Sequence, residues 1–188
     1  MNRSRPAIGV ILTGGTSRRM GVDKAFVEVD GRAMVLRVAD ALRLAGCDPV
    51  VCQGGSHLLT GSLGLEVIPD PQPDSGPVLA IQAALEYHRS AILVAACDLV
   101  DLDPATVLGV ITAAQADPER RVVTATADGH PHLLSHWSQE ALEPLSQLVA
   151  EGVIAYRVAL ERLAAVEVAV DPQSVRNVNR PEDLARRR

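Results

Sequence analysis

Short apolar runs alternate with segments of helical periodicity along most of the chain. Five runs have the length and uniform apolar character of buried strands, and polar or glycine-rich residues follow them. Three segments repeat apolar side chains at spacings of three and four residues, which is typical of helices that cover a sheet. The predicted strands are residues 7–12, 48–53, 65–69, 91–96 and 121–126, and the predicted helices are residues 33–45, 77–88 and 104–114.

The apolar character of these strands is continuous rather than alternating, so both faces of their sheet should be covered. Alternating strands and helices of this kind predict an α/β fold, a three-layer arrangement with a mostly parallel sheet and helices on both faces. The last third is less regular. Residues 130–137 suggest a strand that doubles back, and residues 139–163 are helical with an interruption around Gly152. Residues 166–170 suggest a final strand, and residues 181–188 suggest a short helix. Repeats and linkers are absent from the sequence, which predicts a single domain over residues 1–188.

In parallel sheets, ligands bind beyond the carboxyl ends of the strands. This rule selects residues 13–24 after the first predicted strand and three single positions at the ends of later strands. Those positions are Gln53, Asp70 and Asp98. All four places are expected at one edge of the sheet.

The loop after the first strand reads L-T-G-G-T-S-R-R-M-G-V-D-K and combines glycine, hydroxyl and cationic residues. Gly14 and Gly15 lack Cβ atoms, so backbone N–H groups there can approach an anion closely. Guanidinium and ammonium groups suit phosphate oxygens. The hydroxyl and cationic members are Thr16, Ser17, Arg18, Arg19 and Lys24. Neither the Walker A nor the dinucleotide glycine spacing is present. The loop therefore predicts a polyphosphate site, with a solvated turn carrying incidental arginines as the alternative.

Asp98 follows the most apolar run, A-I-L-V-A-A-C, and is expected at the same edge of the sheet. Mg2+ prefers oxygen ligands and commonly takes one or two protein carboxylates together with phosphate oxygens and water. Asp98 is accordingly a candidate metal ligand, or else a residue that caps the following turn. Asp103, directly before Pro104, is better explained as a helix N-cap.

Composition narrows the function classes. Aromatic residues make up 2% of the chain and the formal net charge is -5, which does not fit a nucleic-acid-binding surface. Apolar runs stay well below the roughly 20 residues of a membrane span. The three cysteines lack a C-x-x-C pair and two of them lie in apolar runs, which predicts buried thiols and a reducing, cytoplasmic location.

The motif after the first strand resembles that of the MobA-like nucleotidyltransferases, and most closely of the molybdenum cofactor guanylyltransferases, in which it reads L-A-G-G-x-S-x-R-M-G-x-D-K. The similarity continues through D-G-R at residues 30–32, the I-P-D and S-G-P-V segments, A-C-D ending at Asp98, and H-P at residues 130–131. It ends with N-V-N-R-P-E-D-L at residues 177–184, so it spans nearly the whole chain.

The resemblance implies a Rossmann-like sheet, Mg2+ as cofactor, and transfer of GMP from GTP to the phosphate of molybdopterin with release of pyrophosphate. It also implies transient contacts with cofactor-biosynthesis proteins. By position, the nucleotide and its phosphates would contact Leu12, Thr13, Gly14, Gly15, Lys24, Gln53 and Asp70, with Arg18 and Arg19 offsetting charge and Asp98 holding the metal. Gln53 stands where these enzymes often have Asn.

Several positions depart from the family pattern. Thr13 replaces the family's Ala, and Arg180 replaces its Thr. After Cys-Asp, Leu99 and Val100 replace the family's small residue or Met followed by Pro. V-I-A at residues 153–155 replaces a basic E-R-R stretch. Because the changes other than Thr13 lie in the acceptor half, alternatives are the same transfer with CTP or another phosphorylated acceptor, or a non-catalytic nucleotide-binding protein. Four further residues are acceptor contacts, metal-diphosphate contacts or turn formers: His130, His132, Asn177 and Asn179.

Overall fold

The computed structural model describes residues 7–14, 24–55, 62–70, 72, 75–178 and 183. The described strands are β1 (Ile8–Leu12), β2 (Glu28–Val29), β3 (Arg32–Ala33), β4 (Val50–Gln53), β5 (Glu66–Ile68), β6 (Ile92–Ala96), β7 (Val122–Ala127), β8 (His130–Trp137) and β9 (Val166–Ala169). The helices are α1 (Met34–Leu44), α2 (Pro77–His88), α3 (Pro104–Ala116), α4 (Leu142–Ala150) and α5 (Tyr156–Arg162), and short 3₁₀ turns lie at Lys24–Phe26 and Gln139–Ala141.

Seven of these strands form one sheet in the order β5-β4-β1-β6-β8-β7-β9. Strand β1 lies inside the sheet and pairs in parallel on both sides, with Val10 opposite Val51 of β4 and Val94 of β6. Strand β8 is antiparallel to both of its neighbours, β6 and β7. The prediction of a mostly parallel sheet is confirmed, and residues 130–137 do form a strand that doubles back.

Helices cover both faces of this sheet. Val10 and Ile11 of β1 point to opposite faces, as the alternation of side chains along a strand requires, and each belongs to a different apolar core. Helices α1 and α3 pack on the face of Ile11, while α2, α4 and α5 pack on the face of Val10. The first core includes Val38, Leu42, Leu93, Val107 and Val110, and the second includes Ile81, Leu85, Val94, Leu145 and Leu160. Each large side chain buried here contributes about 1.5–3 kcal/mol relative to exposure. The three-layer α/β fold is confirmed.

The helix boundaries follow their sequence signals. Pro77 is the first residue of α2, and Gly152, with a φ of 84°, separates α4 from α5. A small hairpin, β2–β3, was not predicted. Its turn is formed by Asp30 and Gly31, both with positive φ, and an Asp-Gly pair is a strong signal for such a turn.

Asp103 caps α3, as predicted, because its carboxylate accepts a hydrogen bond from Thr106 N at 2.9 Å. We expect Asp103→Ala to lower the free energy of unfolding by about 1 kcal/mol in urea titrations at pH 7. Asp117→Ala, which breaks an exposed ion pair with Arg120 at the other end of α3, should cost less than about 0.5 kcal/mol. Equal losses in the two variants would contradict the capping role.

The pH dependence of this cap follows from its environment. Burial raises the pKa of Asp103, but hydrogen bonds with Thr106 and Ser174 lower it, and the net pKa lies below the ordinary value. A depressed folded-state pKa stabilises the fold above about pH 4, and this stabilisation is lost as pH falls through the folded-state pKa. The deficit of Asp103→Ala should therefore shrink in acid.

The cysteine prediction is confirmed as far as burial goes, because Cys47, Cys52 and Cys97 are all buried. Burial raises the pKa of Cys47 to about 12, so this thiol stays neutral. None of the helices in the described part of the chain is long and apolar enough to cross a membrane. The predicted terminal helix over residues 181–188 lies outside the described residues except for Asp183.

Candidate functional site

A cavity of about 440 Å³ opens at the carboxyl ends of the parallel strands. Its lining includes seven residues that the sequence placed at a nucleotide site: Leu12, Thr13, Gly14, Lys24, Gln53, Asp70 and Asp98. The other lining residues include Gly76, Pro77 and Ala80 at the start of α2 and Leu133 of β8. Three residues predicted for the same site, Gly15, Arg18 and Arg19, lie outside the described residues. The chain thus brings together residues that are up to 86 positions apart in the predicted set, between Leu12 and Asp98.

Thr13 joins the loops that follow β1 and β4. Its backbone N–H donates to the carbonyl oxygen of Gln53 at 3.1 Å. Its hydroxyl donates to the carbonyl oxygen of Gly54 at 2.6 Å and lies 3.3 Å from that of Gln53. The departure from the family's Ala at this position therefore adds a buried side-chain bond between the two loops.

Glycine is required where these loops meet. A Cβ atom on Gly54, whose φ is 74°, would lie 3.2 Å from Gly14 Cα and 3.2 Å from Asp70 Cβ. A Cβ atom on Gly14 would lie 3.3 Å from Asp70 Oδ2. Gly54 is a site residue that sequence reasoning missed, although glycine directly after a buried strand was an available signal.

Gln53 contributes an oriented amide. Its Nε2 donates to the carbonyl oxygen of Pro69 at 3.0 Å. A carbonyl oxygen can only accept, so the amide nitrogen must face Pro69 and Oε1 must face away from it. Oε1 is buried and has no hydrogen-bond partner among the residues that the structure describes. Gln53 is one of the residues that line the cavity.

Lys24 and Asp98 form a charged pair at another part of the cavity. Lys24 Nζ lies 3.1 Å from Asp98 Oδ2, and the two side chains are 19% and 12% exposed. Asn177 Nδ2 donates to Asp98 Oδ1 at 2.8 Å, and the backbone N–H of Val178 donates to the Asp98 carbonyl oxygen at 3.1 Å. Two distant segments, one with Lys24 and one with Asn177, therefore hold the carboxylate of Asp98.

The four residues considered as acceptor contacts differ in their position relative to the cavity. Asn177 contacts Asp98 directly, so among the alternatives left by the sequence it lies at the charged pair. His130 is exposed at the start of β8, and neither His130 nor His132 lines the cavity, whereas Leu133 does. Asn179 lies outside the described residues.

Residues 153–155, where the family has cations, lie near the cavity rim. A Cβ atom on Gly76 would come within 3.9 Å of the Ile154 carbonyl oxygen, and Ile154 is 60% exposed.

Tyr156 anchors the next helical turn, with its buried hydroxyl 2.9 Å from Ser135 Oγ. Burial raises the pKa of Tyr156 to about 12, although its hydrogen bonds act in the opposite direction. Tyr156 is therefore a neutral structural anchor.

The donor set at Asp98 fits one class of metal site. Within the described ranges, no group of three or more His, Cys, Asp or Glu side chains could hold a metal ion. A single carboxylate suits a Mg2+ ion that takes its other ligands from a polyphosphate and water. Asp98 is the residue that would hold such an ion.

The cavity thus contains a cation–carboxylate pair and a buried amide beside apolar side chains. The sequence model of the MobA-like NTP transferase domain matches residues 9–167, which include the described cavity residues. The chain belongs to the MobA-like NTP transferase family. It is accordingly a nucleotidyltransferase at the level of this family, as the motif after β1 indicated.

Relatives extend this assignment over the full chain. The chain is 30% identical to a probable molybdenum cofactor guanylyltransferase of Opitutus terrae, covering 96% of this chain and 94% of that protein. It is 31% identical to a molybdenum cofactor guanylyltransferase of Bradyrhizobium sp., covering 94% and 89%. Its structure is similar to that of molybdopterin-guanine dinucleotide biosynthesis protein A from Archaeoglobus fulgidus, with a TM-score of 0.75, 25% identity and 95% coverage of both chains.

Proposed function

We propose that this MobA-like protein transfers GMP from GTP to the phosphate of molybdopterin, with Mg2+ as cofactor and pyrophosphate as the other product. The observation that carries the proposal is the single cavity that contains both the Lys24–Asp98 pair and the buried Gln53 amide. The first suits a metal-bound triphosphate, and the second suits a nucleobase. The names of the full-length relatives support the same substrates.

In the proposed reaction, an oxygen of the acceptor phosphate attacks the α-phosphorus of GTP in line. The bond from that phosphorus to the bridging oxygen breaks, and pyrophosphate leaves with the electron pair. Such chemistry depends mainly on positioning and charge neutralisation. An acceptor phosphate is already ionised near neutral pH, so no general base is required.

The residues divide these tasks. Lys24 places a cation beside Asp98 and offsets the charge that develops on the leaving pyrophosphate. Asp98 would hold Mg2+, which would supply further charge neutralisation to the reaction. Asn177 fixes the orientation of the Asp98 carboxylate through its hydrogen bond to Oδ1. Arg18 and Arg19 stay predictions from the motif.

The proposal predicts that GTP binds more tightly than CTP, ATP or UTP. Gln53 Oε1 offers an acceptor, and the guanine edge carries neighbouring N–H donors at N1 and N2. One or two recovered hydrogen bonds give about a fivefold to hundredfold preference. Isothermal titration calorimetry with each nucleotide in the presence of Mg2+ measures it. Equal or tighter binding of CTP would contradict the guanine assignment while leaving the family unchanged.

A pyrophosphate-release assay of the four nucleotides, each with molybdopterin or a simple phosphorylated acceptor, tests the reaction. The proposal expects release only with GTP and molybdopterin together. GTP binding without release under any pairing would favour the non-catalytic alternative.

One observation favours a second candidate, the same transfer to a different phosphorylated acceptor. Residues 153–155 lie near Gly76 at the cavity rim and offer the exposed apolar side chain of Ile154 in place of the family's cations. An acceptor with fewer negative charges would suit this rim. Release with GTP and a simple phosphorylated acceptor, but not with molybdopterin, would select this candidate.

A further inference from the structure

We propose that Thr13 is a positioning residue that sets base selection, because its hydroxyl holds the turn that carries the Gln53 amide. The inference rests on the proposed function and assigns to Thr13 a control over which nucleobase binds. Thr13 lines the cavity and is 5% exposed.

Thr13 connects the loop after β1 to the Gln53–Gly54 turn after β4. A hydroxyl has one hydrogen to donate, and the 2.6 Å distance to the Gly54 carbonyl oxygen makes that its main acceptor. The backbone N–H of Thr13 holds the carbonyl oxygen of Gln53 at 3.1 Å. Consecutive carbonyl groups of the Gln53–Gly54 turn are thereby bound to one residue. Removing the hydroxyl leaves the Gly54 carbonyl without this bond and the turn held by the backbone alone.

The turn carries the buried side-chain amide of Gln53. The side chain of Gln53 is 1% exposed, and its nitrogen is committed to the carbonyl oxygen of Pro69 at 3.0 Å. Its Oε1 is a buried acceptor for which the described residues provide no donor. A buried polar atom without a partner is unfavourable, and a ligand that donates a hydrogen bond to it removes this penalty.

The nucleobases differ in the group that they would present to this acceptor. Guanine presents an N–H donor at N1, whereas adenine presents an unprotonated acceptor at the same ring position. An acceptor fixed by the turn discriminates between these edges, since two facing acceptors repel. An acceptor on a loosened turn can rotate away, so discrimination falls even though both bases still fit.

Loss of the Thr13 hydroxyl should weaken the contacts to the base and leave those to the phosphates unchanged. Lys24 and Asp98, which face the phosphates in the proposed function, pair with each other at 3.1 Å and lie in segments other than the loop of Thr13 and the turn of Gln53. Loss of the Thr13 hydroxyl should weaken GTP binding and leave the binding of inorganic tripolyphosphate with Mg2+ unchanged. A general loss of structure would weaken both.

The test uses Thr13→Val, which keeps the shape but removes the hydroxyl, and Thr13→Ser, which keeps the hydroxyl. Dissociation constants for GTP, ATP and tripolyphosphate are measured by calorimetry with Mg2+. We expect Thr13→Val to weaken GTP binding about fivefold to tenfold, the loss of roughly one hydrogen bond, with ATP and tripolyphosphate changed less than about twofold. Thr13→Ser should retain the GTP preference of the unchanged chain. Thr13→Ala serves as the second variant without a hydroxyl if Thr13→Val does not fold.

Thr124→Val is the matched control, because Thr124 is also a buried threonine but does not line the cavity. Its hydroxyl forms hydrogen bonds with the Tyr156 hydroxyl and the His132 carbonyl oxygen. Its ratio of GTP to ATP affinity should stay unchanged. The inference is overturned if Thr13→Val or Thr13→Ala melts at a lower temperature but keeps the original ratio. Failure of the proposed function is distinguishable, since it appears as an absence of GTP preference in the unchanged chain.

Discussion

Asp98→Asn is expected to lower the rate of pyrophosphate release by about a factor of 100 to 1,000 while leaving the fold intact. The change keeps the size of the side chain and removes the charge that would hold Mg2+. Asp98 is 12% exposed and pairs with Lys24, so loss of this largely buried ion pair should lower the melting temperature without unfolding the protein at the assay temperature. The rate is measured across a range of Mg2+ concentrations, and thermal melting checks the fold.

Asp101→Asn is the matched control for this substitution. Asp101 is a neighbouring carboxylate that lies 3.5 Å from Arg176 and 3.9 Å from Arg37, and it is not part of the cavity lining. Its rate should stay within about threefold of the unchanged chain, because surface ion pairs contribute little. A near-normal rate for Asp98→Asn at low Mg2+ would show instead that Asp98 only caps its turn.

Lys24→Met is expected to slow transfer to every acceptor by about a factor of 30 to 1,000. It keeps an unbranched side chain and removes the cation that would face the donor's phosphates. A charge-assisted contact that matters in the transition state contributes roughly 2–4 kcal/mol, and the donor is common to all the reactions. Rates with GTP and each acceptor that supports release, together with GTP dissociation constants, measure the effect.

Arg120→Met is the control for Lys24→Met, because it also removes one cation from an ion pair, here with Asp117 at 3.0 Å, outside the cavity. It should leave the rates unchanged. A Lys24→Met variant that slows transfer to only one acceptor would contradict a role on the donor's phosphates.

The same experiments separate Asn177 from the histidines. The sequence left Asn177 as an acceptor contact, a metal-diphosphate contact or a turn former, and the structure places its amide on Asp98. Asn177→Ala should therefore resemble a mild form of Asp98→Asn and raise the Mg2+ concentration needed for activity. His130→Ala should change neither GTP binding nor Mg2+ dependence, since His130 is exposed and does not line the cavity.

Much of the fold could be predicted from periodicity because its strands are buried on both faces. The run that became β6 is buried at every position, and such a run has few alternatives to the interior of a covered sheet. The edge of the sheet that carries the site followed from the same pattern, since strand ends in a parallel sheet meet at one edge. Strands of two residues, such as β2 and β3, are too short to show a period, and only their Asp-Gly turn marked them.

The sequence by itself determined the layer architecture, the sheet edge that carries the site, and the glycine-rich and acidic residues at that edge. Only the tertiary structure decided how these residues meet. The bond from Asn177 to Asp98 joins positions 79 residues apart, and no local pattern encodes such a contact. The orientation of the Gln53 amide likewise depends on the carbonyl of Pro69. Periodicity reports which side of an element is buried, whereas hydrogen bonds between distant loops depend on how the whole sheet packs.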